Sequence, residues 1–210
     1  QPFRNRLNNL DPKSWLNFQK SWFVHNAPPR KKKVLRHPAK FPETLAQNFI
    51  EFFTKTGQTV LDPMAGSGST LVACLRAARH GIGIELNHRY AEMARQVISE
   101  EQEALGAASN GIETRILEGD AREISSLGLD TVDYIITSPP YWDMLRAHGS
   151  KNQQARRRND ELDVFYSDDP RDLGNLTDYD DFLDQLCHIF ESIQPLLRDT
   201  GYLTIIVKNI

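Results

Sequence analysis

A chain of 210 residues, 40% hydrophobic and 25% charged, holds enough apolar material for one folded α/β domain and not comfortably for two. No run approaches the ~20 apolar residues of a membrane span and no apolar signal core opens the sequence. The two cysteines, Cys74 and Cys187, fit neither a metal spacing nor a disulfide framework, so a cytoplasmic protein without a metal is expected.

The formal net charge of −3 gives no general attraction for nucleic acid. Any such affinity rests on local runs, Arg30 to Lys33 with Arg36, and Lys151 with Arg156, Arg157 and Arg158. Residues 1–36 read as an appendage. Pro12 opens a short helix carrying Trp15, Leu16, Phe18, Trp22 and Phe23, and Pro28-Pro29 breaks it. These aromatics are expected to dock on the main domain. A second helix runs from about 42 to 55, with Leu45, Phe49, Ile50 and Phe53 at helical spacing and Gly57 ending it.

From there strands and helices alternate. The pattern predicts strand 59–62, helix 69–80, strand 82–85, helix 88–105, strand 113–117, a helical turn near 121–127 and strand 132–137. Gly81 is expected to end the first crossover helix. Such alternation means a mainly parallel sheet with helices on both faces. Residues 141–177 are polar and rich in Arg and Asp without periodicity, and a loop of that length is usually functional or disordered. A helix from 178 to 197 follows, with Phe182, Leu186, Ile189 and Ile193 on one face. Thr200-Gly201 then turns into a last strand, 202–207.

The chemistry lies at strand ends, where open α/β sheets bind ligands. Asp62-Pro63-Met64-Ala65-Gly66-Ser67-Gly68-Ser69-Thr70 follows the first strand. It lacks the lysine of a phosphate-binding loop, and Leu71 stands where a dinucleotide fingerprint needs a third glycine. Glu85 closes the second strand, where a carboxylate can accept both hydroxyls of a ribose, and Asp120 closes the third. Acids at three successive strand ends point to an adenosine-like ligand.

The fourth strand runs into Thr137-Ser138-Pro139-Pro140-Tyr141-Trp142. With the glycine-rich turn about seventy residues upstream, this resembles the S-adenosylmethionine-dependent DNA amino-methyltransferases, over about residues 37–208. The turn departs from the family pattern only by Ser69 before Thr70. The resemblance implies a Rossmann-like methyltransferase fold for residues 37–210, two of whose C-terminal strands are missing from this chain. It assigns Phe41, Asp62, Pro63, Ala65, Gly66, Ser67, Gly68, Thr70, Glu85 and Asp120 to the cofactor, with Asp120 on the adenine.

Catalysis falls to Ser138, Pro139, Pro140 and Tyr141. Acceptors on the amine hydrogens localise a nitrogen lone pair that is otherwise delocalised into the base, and Tyr141 stacks on a base that has left the duplex. Trp142 extends that wall, and Arg146, Arg156, Arg157 and Arg158 are candidates for DNA contact. The serine leans toward cytosine N4, with adenine N6 the alternative. Carbon methylation is disfavoured because both cysteines fall in helices, and a protein-glutamine enzyme because it carries Asn where Ser138 stands. An RNA guanine-N2 methyltransferase and a catalytically silent binding subunit stay open. Double-stranded DNA and a cognate restriction endonuclease are the expected partners.

Overall fold

Short apolar runs bounded by turns build a parallel sheet whose carboxyl edge carries the motifs. In the computed structural model, residues 5–21, 42–142 and 169–207 are described. The central strand β1 (Thr59–Asp62) is flanked by β2 (His80–Glu85) and then β3 (Thr114–Glu118) on one side. On the other side lie β4 (Val132–Thr137) and β5 (Leu197–Ile205). The order is β3-β2-β1-β4-β5, and every pairing is parallel. Leu61 sits beside Ile82 on one side and Ile135 on the other. A sheet covered on both faces needs apolar residues along the whole strand, not alternation. Accordingly, β4 buries every position except Asp133.

Helices α2 (Glu43–Phe53), α3 (Ser69–Arg76) and α4 (His88–Leu105) cover one face. Ala46 and Ile50 of α2 and Ala73 and Cys74 of α3 meet Val60, Tyr134 and Ile136 there. Ala91, Ala94 and Ile98 of α4 pack with Leu71, Leu75 and Ile116. The opposite face takes α5 (Tyr179–Ile193), whose Phe182, Ile189 and Ile193 meet Leu61, Ile135 and Ile124. The short α1 (Pro12–Phe18) stacks Trp15 and Phe18 on Phe52, with ring centroids 6.0 Å and 4.6 Å apart.

Four boundaries differ clearly from the sequence pattern. Helix α3 stops at Arg76, and Gly81 lies inside β2. The left-handed residue is Ala78, at φ 54°. Its carbonyl accepts from Gly57 N at 2.9 Å, while the buried Arg79 donates to Thr54 and Ala77. Helix α5 ends at Ile193 because Pro195 in the following turn has no amide to continue the ladder. Strand β5 begins at Leu197, and Thr200-Gly201 is an irregularity within it. Val132 pairs with Leu197 and Tyr134 with Tyr202, so the extra β5 residues bulge between them.

Candidate active site

Strand order reverses between β1 and β4, and a cleft opens beyond their carboxyl ends. Its volume is about 870 Å³ including the open mouth, and its lining joins both motifs. Pro63, Met64, Ala65, Gly66, Ser67 and Ser69 come from the first, and Ser138, Pro139 and Pro140 from the second. Glu85, Asn87 and Tyr90 contribute from β2 and α4, Asp120 and Ala121 from beyond β3.

The turn after β1 is shaped by close packing. Gly68 has φ 85°, and a Cβ there would stand 3.0 Å from Ala94 Cβ. The loop is tied to the next strand through Glu85, whose Oε2 accepts from Gly66 N and whose Oε1 accepts from Asn87 N, both at 2.8 Å. Burial pushes the Glu85 carboxyl up to about 7, against the pull of these two amides, and the negative charges of Asp172 and Asp62 add to the rise. A carboxylate oxygen has more than one lone pair, so each retains room for a further donor.

Asp120 caps the helical turn Ala121–Leu127 by accepting from Arg122 N at 2.9 Å. The Arg122 guanidinium forks onto the same carboxylate, with Nη2 2.6 Å from Oδ2. Burial alone would raise the Asp120 carboxyl, but Arg122 outweighs it and the group lies below its ordinary range. Arg122 also reaches Gln185 Oε1 at 3.0 Å and the Arg171 carbonyl at 2.6 Å.

Asp62, Gly68 and Thr70 are not on the cleft wall. The Asp62 carboxylate accepts from Thr70 Oγ1 at 2.5 Å, Thr137 Oγ1 at 2.8 Å and Met64 N at 3.1 Å. Burial carries its carboxyl up to about 6 despite these donors. Tyr141 and Trp142 follow the cleft residues, and the Trp142 ring packs edge-on against Tyr179 of α5 at 5.1 Å.

Arg171, Asp172 and Leu173 also line the cleft, although they lie in the stretch that shows no periodicity. A local signal existed. Asp169 and Asp172 accept from the amides of Arg171 and Gly174, both at turn positions, ahead of the buried Leu173. Phe41, Arg146, Arg156, Arg157, Arg158 and the basic run from Arg30 to Arg36 lie outside the described residues. Among the described residues no cluster of His, Cys, Asp or Glu is placed to hold a metal ion, and no helix is long and apolar enough to cross a membrane. Cys74 is buried in α3, and Cys187 is exposed on α5.

Residues 5–96 match a family described as DNA methylase, of the N6 and N4 type. The type II methyltransferase M.BglI of Bacillus subtilis is 38% identical over 91 residues, which are 43% of this chain and 25% of that protein. M.HpaI of Haemophilus parainfluenzae is 33% identical over 101 residues, 48% of this chain and 31% of its own length. The chain thus spans about a quarter to a third of these relatives. Among solved structures, a Thermus thermophilus protein described as a DNA modification methylase, crystallised with S-adenosyl-L-methionine, is 31% identical. That match covers 52% of this chain and 39% of that one, at a TM-score of 0.38.

Proposed function

From a chain whose residues 5–96 match the N6 and N4 DNA methylase family, we propose that it transfers a methyl group from S-adenosylmethionine to the exocyclic N4 of a cytosine flipped out of double-stranded DNA. One observation carries the reading: the glycine turn after β1 and the Ser138-Pro139-Pro140 segment after β4 line a single cleft, with Glu85 between the turn and α4. The residues present fit such a cofactor. Glu85 is fixed by two backbone amides with acceptor capacity left for ribose hydroxyls. Met64, Leu86 and Ala121 offer apolar wall, and Asp120 stands across the cleft.

The bound cofactor supplies an electrophilic methyl group on sulfur. The chain's own residues then determine what meets it. Ser138 Oγ and the Pro139 carbonyl accept the two amine hydrogens, which draws the nitrogen toward tetrahedral geometry and localises its lone pair. Consecutive prolines fix φ and present no competing amide. Tyr141 gives the base a stacking surface, as extrusion from the duplex requires. Positioning of this kind supplies most of the rate when the electrophile is already activated.

The serine in the first motif position favours cytosine N4, and adenine N6 is the alternative product. Arg156, Arg157 and Arg158 are proposed DNA contacts, and a cognate restriction endonuclease is the proposed cellular counterpart of a cytoplasmic enzyme. Nucleosides from DNA incubated with the full chain and labelled cofactor are separated and weighed by mass spectrometry. Label in N4-methylcytosine is the expected result. Label in N6-methyladenine moves the assignment to adenine, and DNA without label sinks the reading.

A further inference from the structure

Two segments that must cooperate in this proposed reaction are joined behind the cleft by one buried carboxylate. Asp62 ends β1 and Thr137 ends the adjacent β4, immediately before Ser138, while Thr70 stands in the first turn of α3 after the glycine turn. Oδ1 accepts from Thr137 Oγ1 at 2.8 Å and from Met64 N at 3.1 Å, and Oδ2 accepts from Thr70 Oγ1 at 2.5 Å. All three side chains are at most 1% exposed, and the cleft wall contains none of them. An ionised carboxylate at that depth is costly unless its oxygens are occupied. An apolar side chain would fill the same volume without the penalty. What only the carboxylate provides is a rigid polar bridge from the turn to the strand that delivers Ser138.

Resting on the functional reading above, we propose that Asp62 is a positioning residue that locks Thr137-Ser138 against the turn Met64–Gly68, holding the methyl donor and the amine in transfer register without touching either. The family resemblance implies cofactor contacts for Asp62 and Thr70. The geometry separates them from Glu85, which faces the cleft. A contact residue, when lost, weakens cofactor binding. A register residue leaves binding largely intact and slows transfer.

Thr137→Val keeps the shape of the side chain and removes one arm of the bridge. In the full chain, calorimetry is expected to give a cofactor Kd within about threefold of the parent. Methyl transfer to DNA is expected to fall about 10- to 100-fold in kcat, with KM for DNA changed less than threefold. Thr137→Ser, which restores the hydroxyl, is expected to recover most of the loss. A tenfold or greater loss of cofactor affinity in Thr137→Val, or an unchanged kcat, overturns the proposal. If Thr137→Val does not fold, Asp62→Asn takes its place. Its amide has one acceptor oxygen where the carboxylate has two, and the same split between Kd and kcat decides. A parent protein that binds cofactor and methylates DNA, with variants that behave alike, defeats this inference alone. A parent that binds no cofactor defeats the functional reading and takes this one with it.

Discussion

Glu85 and Asp62 are both held well above the ordinary carboxylate range by burial, at about 7 and about 6. Their surroundings give them different work. Asp62 is closed off by two threonine hydroxyls and an amide, whereas Glu85 keeps acceptor capacity toward the cleft. A carboxyl whose folded pKa exceeds its unfolded value stabilises the fold fully below the unfolded pKa, and that contribution is lost as pH rises through the folded one. For Glu85 the window runs from its ordinary 4.5 to about 7. The ligand-free chain is therefore expected to lose stability between about pH 4.5 and 7, by an amount on the order of 1–3 kcal/mol from Glu85. Glu85→Gln should remove that part of the slope in calorimetric melting curves, and equal slopes in the two proteins would refute the assignment. Ribose hydroxyls donate more strongly to the charged form, whose two oxygens both accept, so cofactor affinity should tighten as pH rises through about 7 in the parent and stay flat in Glu85→Gln.

At the scale of elements, strand β2 is held close to the cofactor turn by the absence of a side chain. A Cβ on Gly83 would lie 2.7 Å from Ile116 Cδ1 and 2.8 Å from both Ala65 Cβ and Leu71 Cδ1. Ala65 is in the turn, Leu71 in α3 and Ile116 in β3, so the crowding is shared by three elements with little room to yield. Gly83→Ala is expected to cost about 1–3 kcal/mol, read as a lower urea midpoint at constant slope. Cofactor affinity should fall with it, since Ala65 would be displaced toward the cleft. An unchanged midpoint would mean that the turn relaxes freely. The parallel α/β class, strands β1 and β4 and helix α4 were legible because hydrophobic period and flanking turn residues agreed there. The end of α3 was not. Its stop depends on Arg79 reaching the carbonyls of Thr54 and Ala77, and only the first of these is distant in sequence.

The whole molecule closes one wall of the cleft with a segment that carries turn signals but no helix or strand periodicity. The acids at the strand ends could be read from the sequence because each sits where a strand stops. The partner that organises Asp120 could not be read so far. Arg122 forks onto Asp120 two residues away, yet the same guanidinium holds the Arg171 carbonyl 49 residues on and Gln185 on α5. It thereby ties the β3 end, residues 169–173 and the helix on the far face into one side of the cleft. Arg122→Ala would release all three and let the Asp120 carboxyl rise, since burial would then be opposed only by the amide of residue 122 and the charge of Arg171. Cofactor affinity is expected to drop about 5- to 20-fold, a loss of roughly 1–2 kcal/mol. Amide exchange should quicken at residues 171–176, which include the amides of Gly174, Asn175 and Leu176 that close the turn. Arg122→Lys keeps the charge without the planar fork, so it should recover the Asp120 titration but not the exchange protection. If Arg122→Lys restored both, charge alone would hold the wall, and the guanidinium fork would have no separate part in it.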